Sequence, residues 1–259
     1  MDKVKVSLIL TSYNCRENIG RTLQSIEAQD YPAIEIVIVD GLSTDGTIDI
    51  IKQFERSTKH ECRWVSEKDK GIYDAMNKGL SLSTGEIVAF FNDLFLRADA
   101  VSLMVQAIVD GNCDGAHADL IYATEDKVKR YWKMGNGKIQ KGWMPGHPTL
   151  YLKREVYDKY GCYDINYKCS ADYEFMVRML KDEKLRLAYV PVTLVRMYYG
   201  GTSTGSAGSY LVSLQEGHKA LKTNGIKLAW WIDLRRTFKV FGQFLRAGKY
   251  GGKINGNRA

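Results

Sequence analysis

Three acidic side chains, Asp40, Asp93 and Asp172, stand at sequence positions where a carboxylate can do chemistry. Asp40 follows the β-branched run from Ile34 to Val39, and at a strand end it could accept hydrogen bonds from a uracil imide or a ribose hydroxyl. It could equally close an Asx turn or cap a helix. The Asp45-Gly46-Thr47 step beyond it supplies a capping acid and backbone N–H groups at a helix start, which fits a nucleotide-binding edge. Asp93 ends the hydrophobic run from Glu86 to Phe91. One carboxylate there could hold Mg²⁺ or Mn²⁺ against a diphosphate, because these hard cations take few protein ligands and fill the rest with water and phosphate oxygens. A surface turn acid is the other reading. Asp172 opens a helical pattern in Ser170-Ala171-Asp172-Tyr173-Glu174-Phe175. The helix dipole keeps such an acid ionised, and an ionised Asp aimed at a hydroxyl is a usable general base, although acids also gather at helix starts for stability alone.

The elements that must position these residues are legible as two alternating periods. Val4 to Leu10, Ile34 to Val39 and Glu86 to Phe91 read as buried parallel strands. Between them, Ile19, Leu23 and Ile26, then Ile48, Ile51 and Phe54 after a cap at Ser43 or Asp45, repeat at helical spacing, and a third helix runs from Gly71 to Leu82. This alternation implies a βαβ sheet with right-handed crossovers, whose ligands sit at the carboxyl ends of the strands. The polar clusters Thr11-Ser12-Tyr13-Asn14, Asp40 to Thr47 and Asn92-Asp93 lie at those ends. Beyond Val101 the pattern predicts a helix to Asp110, shorter strands near Ala116 to Tyr122 and Lys127 to Trp132, a Gly-rich passage from Gly135 to Gly146, and a helix from about Ala171.

The chain has 259 residues, 45% hydrophobic and 26% charged, enough for a substantial core and against intrinsic disorder. Five scattered cysteines, without C-x-x-C spacing, suit a reducing cytosol and argue against structural zinc. No signal-peptide pattern and no apolar run approaching the ~18 residues of a membrane span is present, which points to a cytoplasmic protein able to lie on a membrane. Neither G-x-G-x-x-G nor G-x-x-x-x-G-K-[ST] occurs, so dinucleotide binding and P-loop chemistry lose their motifs.

Several segments, taken together, closely resemble bacterial family 2 glycosyltransferases. They are VSLILTSYN, EIVIVDGLSTDGT, the run SEKDKGIYDAMNKG from Ser66 to Gly79, Ser83-Thr84-Gly85-Glu86 leading to Phe90-Phe91-Asn92, His147-Pro148-Thr149, Ala171 to Phe175, and Gly200-Gly201-Thr202-Ser203. The resemblance covers roughly residues 4 to 205. It implies an α/β GT-A fold: a Rossmann-like, mostly parallel central sheet flanked by helices, with a nucleotide-sugar half over about 1–100 and an acceptor half over 101–205. It also implies inverting transfer of a hexose or N-acetylhexosamine from a UDP-sugar to a lipid-diphosphate-linked sugar, as in O-antigen or capsule assembly.

Carried over by position, Thr11, Tyr13, Asn14, Asp40 and Ser43 would bind the nucleoside side of the donor, with Asp69, Asn77, Asn92 and Asp93 bordering the same pocket. Asp93 would hold Mn²⁺ or Mg²⁺, and Asp172 would be the base. Trp143, His147, Glu174, Gly200, Gly201 and Ser203 fall where the family gathers acceptor and diphosphate contacts. His147 could instead be a structural hydrogen-bonder and the glycine pair a simple turn. One departure stands out: many members carry an N-S-D-D or N-S-G-D metal motif, whereas this chain reads Asn92-Asp93-Leu94-Phe95, with a single acid.

The formal charge of +7 is uneven. From His218 onward ten Lys and Arg face one acid, Asp233, so that stretch carries +9 and the remainder about −2. Ile226 to Leu245 interleaves aromatic and basic residues at roughly helical spacing. This predicts, within a helical basic tail over 206–259, a helix lying in the interface of an anionic membrane. The family resemblance implies that this membrane is the inner face of the cytoplasmic membrane, where a polyprenyl diphosphate carries the acceptor. The same pattern also suits a helix packed by its apolar face on the catalytic body. Nucleic acid is not an expected partner, because the basic excess does not extend to the body. A regulatory nucleic-acid-binding protein and a nucleotide-sugar-forming nucleotidyltransferase are the competing functions, and the latter lacks its G-x-G-T-R type loop.

Overall fold

The structure, a computed structural model, describes residues 3–198 and 207–250. Its first half is three strand–helix units and a fourth strand: β1 (Val6–Ser12), α1 (Arg16–Glu27), β2 (Ile34–Asp40), α2 (Thr47–Ser57), β3 (Glu61–Ser66), α3 (Ile72–Leu82) and β4 (Ile87–Phe90). These strands lie parallel in the order β3-β2-β1-β4. Both faces of β1 and β2 are covered. Leu8, Leu10, Ile36 and Ile38 join one core with Ile19, Leu23 and Ile26 of α1 and Ile51 of α2. Ile9 and Val37 point into a second core with Tyr73, Met76 and Leu80 of α3. Two covered faces are why these strands read as unbroken apolar runs rather than alternating ones. Gly79 lets α3 sit close on β1, since a Cβ there would run into Ile9 Cγ2.

The second half continues the sheet with mixed polarity: β5 (Leu94–Phe95), α4 (Ala100–Asp110), β6 (Gly115–Ala123), β7 (Val128–Trp132), β8 (Tyr151–Lys153), α5 (Arg154–Tyr160), α6 (Ala171–Leu180) and β9 (Leu187–Tyr198). β8 is antiparallel to both β4 and β6, whereas β6 and β9 run parallel. The register of β6 with β9 jumps from Ala118↔Val190 to Asp119↔Thr193. The skipped residues are Pro191 and Val192, and Pro191 has no N–H to give a ladder. At the irregularity the Asp119 carboxylate accepts from Met134 N (2.7 Å), Tyr189 Oη (2.9 Å) and Tyr131 Oη (3.2 Å).

The C-terminal helices α7 (Ala207–Thr223) and α8 (Ala229–Tyr250) close the second core: Ala220, Leu221, Ala229 and Ile232 are buried with Phe175, Met176 and Met179 of α6. The architecture is the mixed α/β GT-A arrangement expected from the sequence. Among the described residues, no helix is long and apolar enough to cross a membrane.

Candidate active site

The carboxyl ends of β1, β2 and β3 are tied together by one buried side chain. Asp40, fully buried, accepts hydrogen bonds from Ser43 Oγ (2.6 Å), Ser66 Oγ (2.8 Å), Ser43 N (2.9 Å) and Ser12 Oγ (2.9 Å). Burial pushes its carboxyl up, but the Ser43, Ser66 and Ser12 donors outweigh burial and hold it below the usual carboxylate range. All four donors are protein groups, so Asp40 sets the shape of the rim from beneath. Above it the 13–16 and 42–47 loops are laced together: Asn14 N donates to Ser43 Oγ (2.8 Å), Thr44 N to Asn14 Oδ1 (2.9 Å) and Arg16 N to Asp45 Oδ2 (3.0 Å). Asn14 (φ 46°) and Leu42 (φ 63°) both hold left-handed backbone, a strain that collects at functional rims.

Two further groups meet at this rim. Tyr13 is 67% exposed, and Asp69 lies beside Gly41, where a Cβ would come 2.8 Å from Asp69 Oδ2 and 3.4 Å from Tyr13 Cδ2. Gly41 therefore leaves an aromatic ring and a carboxylate side by side. Asn92 braces the end of β1, accepting from Thr11 N (3.0 Å) and donating to Thr11 Oγ1 (2.9 Å).

Asp93 sits on the turn between β4 and β5, bracketed by the stacked rings of Phe91 and Phe95 (centroids 3.8 Å apart, 10° between planes). Burial pushes its carboxyl up to about 7, with only the Tyr198 N–H acting in the other direction. Among the described residues no Lys, Arg or His pairs with it, and no group of three or more His, Cys, Asp and Glu could cage a metal. A lone buried carboxylate suits a hard cation that draws its other ligands from a diphosphate and water, and does not suit one that needs a full protein shell.

Asp172 opens α6 next to α3, and Tyr73 Oη donates to its Oδ1 at 3.0 Å. Burial, followed by the charge of Asp172, pushes the Tyr73 phenol far up, so it stays protonated and remains a donor. Tyr122, His147, Tyr163 and Cys169 are also within electrostatic reach of the Asp172 carboxylate. Burial lowers His147, so its imidazole is neutral at pH 7; it bonds Tyr163 Oη through Nε2 (2.8 Å) and stacks on Phe90. Burial pushes the Tyr122 phenol up, and the charges of Asp93 and Asp172 add to that direction.

A sequence-family model described as "Glycosyl transferase family 2" matches residues 7–168. The chain belongs to glycosyl transferase family 2. It is 27% identical over 206 residues to a PGL/p-HBAD biosynthesis glycosyltransferase of Mycobacterium bovis, covering 76% of this chain and 78% of that one. It is 30% identical over 175 residues to an uncharacterised glycosyltransferase of Nostoc sp., covering 60% and 53%. The fold matches S. aureus TarS 1-349 in complex with UDP-GlcNAc (TM-score 0.69, 18% identity, 97% of this chain and 76% of that one). It also matches the mannosyltransferase PcManGT from Pyrobaculum calidifontis in complex with GDP-Man and Mn²⁺ (TM-score 0.67, 17% identity, 97% and 76%).

In this glycosyltransferase several expected site residues are occupied elsewhere. Asn77 clamps the backbone of Tyr163, donating to its O (2.9 Å) and accepting from its N (3.0 Å), and so acts on the pocket through the loop that carries the Tyr163–His147 pair. Trp143 is buried and donates to Met134 O and Gly135 O (both 3.1 Å), pinning the Gly-rich passage. The Glu174 carboxylate is buried, paired with Arg178 (2.7 Å) and bonded by Asn224 (3.0 Å), which joins α6 to the end of α7. Gly200, Gly201 and Ser203 lie outside the described residues. Tyr73 was not foreseen: in GIYDAMNKG it reads as one more apolar position of an amphipathic helix, and only the packing of α3 on α6 shows its hydroxyl meeting an acid.

Proposed function

We propose that the protein transfers a hexose or N-acetylhexosamine from a UDP-sugar to a hydroxyl of a sugar carried on a polyprenyl diphosphate. Transfer proceeds with inversion, at the inner face of the cytoplasmic membrane, in O-antigen or capsule assembly. The observation that carries the reading is the setting of Asp172: one carboxylate at a helix start, held by the hydroxyl of a protonated tyrosine. Such a group removes a proton from an acceptor hydroxyl as that oxygen attacks C1 of the donor sugar. The new C1–O bond forms as the C1–O bond to the diphosphate breaks, the proton ends on Asp172, and UDP leaves. One displacement inverts the anomeric centre and gives a β-linkage from an α-linked donor.

Tyr13 and Asp69 take the uridine on the open rim, over a floor fixed by Asp40, Ser43 and Asn14, while Thr11 and Asn92 hold the end of β1. Asp93 is the protein ligand for Mn²⁺ or Mg²⁺, which when bound neutralises diphosphate charge. The fold shared with TarS bound to UDP-GlcNAc supports a nucleotide-sugar donor, and PcManGT with GDP-Man and Mn²⁺ makes guanosine donors a necessary comparison. The test incubates the full-length protein with Mn²⁺, UDP- and GDP-sugars and a synthetic sugar-diphosphate-lipid, reading product mass and anomeric coupling. A β-linked product from a UDP-sugar is expected. An α-linked product, or turnover with GDP-sugars alone, overturns the reading.

A further inference from the structure

The C-terminal helix α8 has two faces of opposite character. The inward face is fixed to the body: Ala229, Ile232, Gln243 and Ala247 are buried. Arg236 lies over the Tyr173 ring (3.7 Å), Lys239 Nζ donates to Gly142 O (3.0 Å), and Arg130 Nε donates to Gln243 Oε1. The outward face carries Trp230, Leu234, Phe238, Phe241 and Leu245, 61%, 42%, 68%, 65% and 68% exposed, at successive spacings of four, four, three and four residues. Five large apolar groups in one helical row, all in water, form a surface that needs a partner.

We infer that this outward face of α8 is a docking surface for an anionic lipid bilayer, seated by the Trp230–Leu245 row and held by Arg235 and Arg246 beside it. The charge around the row selects the occupant. Arg235 and Arg246 are exposed along one flank, and Lys222, Lys227 and Leu228 continue the exposed surface just ahead of α8. The acid of α8, Asp233, is paired with His218 (2.7 Å) and Arg236 (3.5 Å). A second copy of the chain would bring arginine flanks together with no acid of α8 left to meet them, whereas anionic headgroups satisfy them. The helix does not span the bilayer; it lies in the interface with aromatic rings at headgroup depth. Because Arg236 stacks on Tyr173, the residue after Asp172, the docked surface is coupled directly to the helix that carries the proposed base. This deepens the lipid-linked acceptor reading, yet binding to a bilayer can be measured without turnover.

The experiment compares the full-length protein with the double variants Phe238→Ser/Phe241→Ser and Arg235→Gln/Arg246→Gln. Flotation uses vesicles of phosphatidylcholine alone and of phosphatidylcholine mixed with phosphatidylglycerol. Wild type should float with the mixed vesicles and blue-shift its tryptophan emission. The aromatic pair should weaken binding by at least about tenfold, and the arginine pair should do the same and reduce the salt dependence. Turnover on a water-soluble acceptor should be unchanged, because none of these four side chains contacts Asp172 or the rim of the site. Variants that float like wild type overturn the proposal, as does a lipid-free wild-type dimer that the aromatic pair converts to monomer. Vesicle binding without any sugar transfer leaves this surface standing and removes the catalytic reading instead.

Discussion

The Tyr73–Asp172 pair makes a sharp demand on its chemistry. A hydrogen bond to an ionised group contributes about 1.5–3 kcal/mol, so Tyr73→Phe should lower kcat by roughly 10–100-fold while donor KM stays near wild type. Among the described residues Tyr73, Tyr122, His147, Tyr163 and Cys169 lie within electrostatic reach of the Asp172 carboxylate, and none of these five carries a positive charge at pH 7. A variant with full kcat would show the contact to be packing alone. An acid at a helix start leaves a local signature, and the reading of Asp172 as a base rests on the family resemblance rather than on that signature. Sequence reading passed over Tyr73 because a hydroxyl meeting an acid 99 positions away is a property of packing.

Among the elements, the joined ends of β1, β2 and β3 show what a sequence can and cannot announce. The strands were legible because VSLIL and IEIVIV are buried on both faces, and their polar ends fell where a parallel sheet puts its ligands. β3 was not: ECRWVS is an edge strand with no apolar run and only partial burial. The partners of Asp40 were equally hidden, because they are serines from three separate segments. Asp40→Asn puts an amide donor against Ser43 N–H and the serine hydroxyls, and should cost about 1–3 kcal/mol in urea denaturation while also weakening nucleotide binding. Loss of nucleotide affinity at unchanged stability would instead make Asp40 a direct ligand. The break in the β6–β9 register at Pro191 also escaped the sequence, since it depends on which strand lies alongside.

On the scale of the molecule, buried titratable groups shape stability. Burial lowers His117 to about 4, against an ordinary value near 6.5, so the unfolded chain takes the proton first. Stability contributed at this site is therefore intact above about 6.5 and falls toward pH 4, by about 1.4 kcal/mol per unit. Asp93, pushed up to about 7 from an ordinary value of 3.8, acts in the opposite direction across that whole range, so the difference between wild type and His117→Gln isolates the effect. Urea titrations from pH 7 to 4 should show the variant losing less stability than wild type; parallel losses would contradict it. The +9 C-terminal stretch also divides differently from its sequence pattern. Arg236, Lys239 and Gln243 bind the body while the aromatic row stays outside, because polar side chains can seat a helix as firmly as apolar ones.

The most direct test of the whole account is transfer by Asp172→Asn, measured beside wild type with Mn²⁺, a UDP-sugar and the lipid-linked acceptor, with UDP affinity measured on the same samples. Removing a general base should lower kcat by roughly 10²–10⁴-fold and leave UDP binding and thermal unfolding near wild type. An Asp172→Asn protein that transfers sugar at the wild-type rate would contradict the account.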